Sequence, residues 1–396
     1  MGLFYLMIDF LCHLLPVDNN KILFTGWGGK YHDNPKYLSR KMHEMLPEKE
    51  IFWEIWDFSC KDDIPDYVMV LQKHTLKHCY YKNRCKVIVD SGVGYTSLNT
   101  PNRIKRLLLV FLLGNKKQFN LSTWHGNPVK CFGADIHGNE SWSERSFYST
   151  SNGLLTDSDY VSEIMYNAYL KQIPVINIGT PRTDLLFDTT AGLKDKLKAK
   201  LGLPLDKKII MYAPTWRENV EDSGLSQIGL LKIDVLLKTL HNRFGGDWAF
   251  LLRCHGLVTA EMRNRGIFEQ YPNYILDGNK HSDMMEYMYA TDILLTDFSG
   301  SVFDVALSDK PCFLFAHDME RYERERGMYK PISFFPYPFS ESFEDLLKDI
   351  MGYDEKNAEI KRTAFLQTIG NKNDGHSAER AVELIKKKMN TNVGAK

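Results

Sequence analysis

The chain has 396 residues, 43% hydrophobic and 25% charged, the composition of a globular protein with two or three domains. Lysine plus arginine equals aspartate plus glutamate, 50 against 50, so no basic excess argues for a nucleic-acid partner. Cys12, Cys60, Cys79, Cys85, Cys131, Cys254 and Cys312 are scattered and form no C-x-x-C, which fits a reduced cytoplasm and argues against a disulfide framework or structural zinc.

The first segment, "MGLFYLMIDFLCHLLPV", is apolar but too short to span a bilayer and is interrupted by Asp9 and His13. It lacks a basic n-region and a small-residue cleavage site, so no signal peptide is expected. Leu3, Met7, Phe10 and Leu14 recur at helical spacing. The segment reads either as a helix packed on the first domain or as one lying in a membrane interface. "KILFTGWGG" (21–29) is a strand ending in a glycine-rich turn at Gly28, and "NPKYLSRKMHEML" is a helix. Strands follow at "IFWEIW" (51–56), "VIVDS" (87–91) and "FNLSTWHG" (119–126).

Between the last two lies "RIKRLLLVFLLGNKK" (103–117), an apolar run flanked by Arg103, Lys105, Arg106, Lys116 and Lys117. It suits either a segment dipping into an anionic bilayer or a buried core helix. "GLLTDSDYVSEIMYNAYL" adds a strand and a helix. Either Asp157 or Asp159 suits a helix N-cap, and no metal site is expected.

The alternation restarts after "IPVINIGTPRTDLLF" (173–187), with strands in 206–216, 247–256, 273–278, 290–307 and 310–318, and a helical end from about Ser340. Alternating strands and helices predict parallel α/β sheets. Two Rossmann-like domains are expected, 1–178 and 179–396, the latter with the C-terminal helices. They should face each other across a cleft at the strand carboxyl ends, as in the GT-B fold.

Three loops carry the chemistry. In "LLTDFSGSVFDVALSDKP" (294–311) a strand ends at Thr296 and Asp297, and Ser299, Gly300 and Ser301 form a hydroxyl-rich turn before a helix, a candidate diphosphate site. "LLRCHG" (251–256) sets Arg253 and His255 at a strand end, where a histidine can neutralise phosphate or move a proton. "MYAPTWRE" (211–218) sets Arg217 at another, its guanidinium suited to a pair of phosphate oxygens. All lie in the second half, which should therefore hold an anionic donor, most plausibly a nucleotide diphosphate.

The order "KILFTGWGGKYHDNPKYL", "TWHGNPVKCFG", "GTPRTDLLF", "YAPTWRE", "LLRCHG" and "LLTDFSGSVFDVALSDKPCFLFAHD" closely resembles the CDP-glycerol glycerophosphotransferases of teichoic acid and capsule synthesis, from about Lys21 to about Tyr337. The resemblance implies a GT-B enzyme that moves glycerol phosphate, or ribitol phosphate, from a CDP-activated donor to a hydroxyl of a glycan or lipid-linked polymer at the cytoplasmic face of the membrane. It implies that His125 is the catalytic base and His255 the second histidine. It matches Thr296 to Ser301 to the donor-phosphate motif. Gly126 and Pro128 would tighten the turn after His125, and Lys130 would help with charge. The chain departs from the usual pattern at Asn127, at Gly256 and in "TDFSG". No cofactor is expected beyond the donor substrate. A nucleotide-sugar glycosyltransferase and a non-catalytic assembly scaffold are the rival readings.

Overall fold

In the computed structural model, which describes residues 3–92, 97–99, 102, 117–136, 147–215, 231–254, 256–264, 266, 268 and 275–390, the apolar runs of the sequence become parallel strands. The chain forms two units. One comprises Met1–His125, Phe132–Asp184 and Gly370–Lys396; the other comprises Gly126–Cys131 and Leu185–Ile369.

The first unit begins with α1 (Leu3–Cys12), β1 (Asp18–Thr25), α2 (Asp33–Met45), β2 (Glu50–Ile55), β3 (Val68–Gln72), α3 (Leu76–Arg84) and β4 (Cys85–Asp90). It continues with β5 (Ser97–Asn99), β6 (Phe119–Ser122), β7 (Phe147–Ser149), β8 (Gly153–Thr156), α4 (Asp159–Ala168) and β9 (Val175–Asn177). Among the described residues a parallel sheet runs in the order β3-β2-β1-β4-β6-β8-β9, and β5 pairs with β7 antiparallel. Both faces of this sheet are covered, so β2 and β4 are buried along nearly their whole length. Successive strands step one way from β1 to β3 and the other way from β4 onward. That reversal is the switch point where open α/β sheets place their ligands.

The expected boundary at 178/179 differs from the observed division. The stretch 175–190 contains edge strand β9, and the chain leaves the first unit only at Asp184. The closing helix (Ser377–Asn390) belongs to the first unit, not the second. Its apolar stripe, Ala381, Val382, Ile385 and Met389, is buried with Ile22, Phe24, Leu38 and Met42. Asp184 satisfies its first N–H groups, accepting from Ser377 N (3.0 Å) and Ala378 N (2.7 Å). Arg380 donates to the Ile178 carbonyl at 2.8 Å. Asp157 and Asp159 also serve this returning chain rather than capping α4, whose cap is Ser158. Asp157 accepts from Asn373 Nδ2 (3.3 Å), and Asp159 pairs with Lys372 (3.3 Å).

α1 is amphipathic in an inverted sense. Its buried Asp9 pairs with Lys82 of α3 at 2.6 Å and accepts from Asn83 Nδ2 at 2.8 Å. Met7 and Leu11, with Leu14 just beyond, are 58%, 58% and 70% exposed. The helix is thus docked by its polar face and leaves apolar side chains in water. Among the described residues no helix is long and apolar enough to cross a membrane. The 103–116 part of the second membrane candidate lies outside the described residues.

In the second unit follow α5 (Leu193–Leu201), β10 (Lys208–Ala213), α6 (Ile233–Phe244), β11 (Trp248–Leu252), α7 (Gly256–Asn264), β12 (Ile275–Asp277), α8 (Met284–Ala290) and β13 (Ile293–Thr296). Then come α9 (Ser301–Val305), β14 (Cys312–Phe315), α10 (Met319–Arg326), β15 (Phe339–Ser340), α11 (Phe343–Met351) and α12 (Glu355–Thr368). The parallel sheet order is β12-β11-β10-β13-β14-β15, over a core that includes Tyr212, Phe250, Phe313 and Leu346.

Because the closing helix fills the first core, Ile385→Ala should destabilise the protein by roughly 2–5 kcal/mol, the range for a large-to-small change in a packed core. Urea unfolding followed by circular dichroism measures this, and a loss below about 0.5 kcal/mol would be the behaviour of a surface helix.

Candidate active site

His125 stands just past the end of β6, and its neighbours come from the ends of adjoining strands of the first unit. Its Nδ1 lies 2.8 Å from the carbonyl oxygen of Ser91, which follows β4. A carbonyl only accepts, so Nδ1 carries the proton and the Nε2 lone pair remains on the neutral ring. Burial lowers the His125 pKa below the ordinary 6.5, outweighing the opposing pull of Asp33 and of the Ser91 hydrogen bond; Arg182 lowers it further. The imidazole is therefore neutral at pH 7 with one nitrogen able to take a proton. The indoles of Trp124 and Trp27 contact it at centroid distances of 4.2 and 4.9 Å.

The loop carrying His125 is held by the start of α2. Asn34 Nδ2 donates to the carbonyls of Thr123 (3.0 Å) and Trp124 (3.1 Å), and its Oδ1 accepts from Arg182 N (3.0 Å). The Arg182 guanidinium donates to the His125 carbonyl at 2.6 Å and to Asp33 at 3.1 Å. Two non-glycine residues of this network, Asp33 (φ 61°) and Trp124 (φ 54°), occupy the left-handed region. Such strain persists only where surrounding bonds over-determine it, and it gathers at functional sites. Gly28 takes φ 67° in the turn after β1, and a Cβ built there would meet nothing within 4 Å.

Ser91, Asp33, Asn34, Arg182 and Trp27 were not singled out in the sequence, although "VIVDS", "HDNPKYL", "GTPRTDLLF" and "KILFTGWGG" contain them. The signal was present as motif membership. The contacts join residues as far apart as Asp33 and Arg182, which no local pattern reports.

The second unit contains the segment that directly follows His125. Gly126 begins it, and Lys130 pairs in a short antiparallel bridge with Met328. Tyr329 N donates to Val129 O at 3.1 Å. A Cβ on Gly300 would come within 2.3 Å of the Asn127 carbonyl oxygen, so the "FSGS" turn needs glycine for this backbone approach. Ser301 Oγ donates to Ser299 Oγ at 3.0 Å, leaving two adjoining hydroxyls at the end of β13. The following helix, α9, is only five residues long, and the amides of Val302 and Phe303 donate back to Ser299 O and Gly300 O. The helix-terminus contribution expected there is correspondingly small.

Three residues expected to bind donor direct side-chain bonds into the protein. Thr296 Oγ1 donates to Ala213 O at 2.7 Å, and Asp297 Oδ1 accepts from Thr215 N at 2.8 Å. These bonds tie the ends of β13 and β10. Arg253 donates to the carbonyls of Gly278, His281 (3.0 Å) and Ser282 (2.8 Å), and its guanidinium lies over the Tyr287 ring at 4.8 Å. It braces the strand end before His255. Arg217 and His255 themselves lie outside the described residues. Among the described residues no three His, Cys, Asp or Glu side chains converge as metal ligands would.

Two parallel-sheet Rossmann-like units of this kind form the GT-B fold type found in transferases. The family model described as CDP-Glycerol:Poly(glycerophosphate) glycerophosphotransferase matches residues 7–387, and the chain belongs to that enzyme family. It is 28% identical to the teichoic acid poly(glycerol phosphate) polymerase of Staphylococcus epidermidis over 92% of this chain and 50% of that protein. It is 26% identical to the teichoic acid glycerol-phosphate transferase of Staphylococcus aureus, over 93% of each. The chain thus spans half the length of the first relative and nearly all of the second. A solved structure of the wall teichoic acid polymerase TagF superimposes with a TM-score of 0.77 and 25% identity, covering 99% of this chain and 95% of that one.

The Asp33–Arg182 pair is largely buried, so Arg182→Ala leaves a carboxylate without its partner. We expect a stability loss of about 3 kcal/mol in urea unfolding. Asp33→Asn combined with Arg182→Ala should recover part of that loss, because no unpaired charge remains.

Proposed function

We propose that the protein transfers glycerol phosphate from CDP-glycerol to a hydroxyl of a teichoic-acid-type glycan or polymer acceptor, with release of CMP. The observation that carries this reading is the hydrogen bond from His125 Nδ1 to the Ser91 carbonyl, which leaves Nε2 to accept a proton. The acceptor oxygen attacks the β-phosphorus of the donor, its proton passes to Nε2, and the bond from that phosphorus to the bridging oxygen breaks. The electron pair leaves with CMP. His255 and Arg217 offset the charge of the diphosphate and the hydroxyls of Ser299 and Ser301 hydrogen-bond to it, while Thr296, Asp297 and Arg253 hold the ends of β13 and β11. Such catalysis consists of positioning and electrostatic stabilisation. Glycerol is preferred to ribitol as the donor polyol because the relatives matching over nine tenths of the chain are, by their names, glycerol-phosphate enzymes.

His125→Ala should lower turnover of CDP-glycerol by about 10²–10⁴-fold while calorimetry shows nearly unchanged donor affinity. In the wild type, the rate should be level near pH 7 and fall with acid only below the ordinary imidazole range, because burial lowers the His125 pKa and protonation removes the base. Near-normal turnover in the variant would remove the base assignment. Mass spectrometry of products from CDP-glycerol, CDP-ribitol and UDP-sugars tests the donor, and CDP-ribitol as the sole substrate would replace glycerol in this reading.

The protein also works at an anionic membrane surface. The exposed Met7, Leu11 and Leu14 of α1 and the turn after it support this, together with an adjoining cavity of about 650 Å³ lined in part by Arg84, Lys86 and Lys117. Apolar insertion and basic attraction would act together. Met7→Glu with Leu11→Glu should shift the protein off phosphatidylglycerol vesicles in flotation, and high salt should weaken wild-type binding in part. Wild-type protein that ignores such vesicles at low salt would overturn the membrane reading.

A further inference from the structure

Trp27 is 62% exposed, although an indole gains from leaving water. Its turn is firmly built. Gly29 N donates to Gly26 O at 3.0 Å, and His32 Nε2 donates to the Trp27 carbonyl at 2.9 Å. The indole is therefore held in place at the end of β1, with its centroid 4.9 Å from that of His125 and the two planes 32° apart. No packing role explains a rigidly presented, water-exposed indole in contact with His125.

We infer that Trp27 is the stacking platform for a pyranose ring of the acceptor, an inference that rests on His125 being the base. A base must lie within about 2.6–3.2 Å of the hydroxyl it deprotonates. The carbon skeleton bearing that hydroxyl then runs alongside the imidazole, where the Trp27 indole stands. A pyranose offers a rigid, flat C–H face to an aromatic ring while its hydroxyls project from the edge, so stacking and proton transfer are satisfied together. A linear polyol has no such face and loses torsional freedom on being held. A polyol phosphate would also require an uncommitted positive charge nearby. Among the described residues, two charged groups beside this turn already have partners: Asp33 with Arg182, and Lys30 with Asp57 at 3.3 Å. The surface around Trp27 thus favours an uncharged sugar over a phosphate-bearing chain end. The site is shaped for placing the first polyol phosphate on a glycan terminus, and the reaction preceding it must be one that supplies that glycan end.

Two measurements test this. In protein labelled with 5-fluorotryptophan, the Trp27 fluorine resonance is identified by its loss in Trp27→Phe. Titration with a disaccharide of N-acetylglucosamine should shift that resonance, whereas a glycerol-phosphate trimer at equal concentration should not. In steady-state assays with a glycan acceptor, Trp27→Ala should raise the acceptor KM by roughly tenfold, the scale of a lost aromatic contact, with the KM for CDP-glycerol changed less than twofold. Trp27→Phe should recover most of the acceptor affinity. The exposed position makes misfolding of either variant easy to recognise, because the other tryptophan resonances would then move as well. An unchanged acceptor KM in Trp27→Ala, or a Trp27 resonance that answers to the glycerol-phosphate trimer and not to the sugar, overturns the inference. The fluorine readout needs no donor. A sugar-dependent shift without CMP release from any CDP-polyol would therefore support the platform while removing the proposed donor.

Discussion

The hydrogen bond between His125 Nδ1 and the Ser91 carbonyl sets which imidazole nitrogen carries the proton, and much of the first unit serves to maintain it. Ser91 follows β4 and His125 follows β6, and these strands are direct neighbours in the sheet. The bond therefore follows from strand order. A slip in that order would put the carbonyl elsewhere and release the ring to the other tautomer. The bracing comes from β1 and α2 on one side and from the 180–184 turn on the other, through Asn34 and Arg182. The left-handed backbone at Trp124 and Asp33 is tolerable because each is enclosed by these bonds.

The second unit uses its polar residues differently. Thr296, Asp297 and Arg253 are side chains of the type that bind phosphate, yet they cross-link strand ends and loops. This is positioning chemistry. It fixes the ends of β10, β11 and β13, and the hydroxyls of Ser299 and Ser301 stand just beyond β13. The peptide bond after His125 is also where the chain passes to the second unit, whose "FSGS" turn accepts the Asn127 backbone only because residue 300 is glycine.

At the N-terminus a buried ion pair decides the orientation of a helix. Asp9 can be buried only with Lys82 and Asn83 around it, so α1 must turn its polar face inward. Met7 and Leu11 are then left outward, the reverse of a helix that completes a core. The same residues would look unremarkable in a helical-wheel reading, because periodicity reports that two faces differ and not which one is buried.

By itself the amino-acid sequence determined the alternating α/β pattern, two Rossmann-like units, most of the strands and the loops that carry His125 and the "FSGS" turn. Each depends on local periodicity or on a glycine-, serine- or histidine-bearing turn directly after an apolar run, and such signals are short-range. Only the tertiary structure decided that the closing helix returns to the first unit, where Asp184 and a waiting apolar surface receive it. It also decided that Ser91 selects the tautomer of His125 and that Arg182 clasps Asp33. Hydrogen bonds and ion pairs of this kind join residues tens to hundreds of positions apart. Their partners are chosen by strand order and packing, which no window along the chain contains.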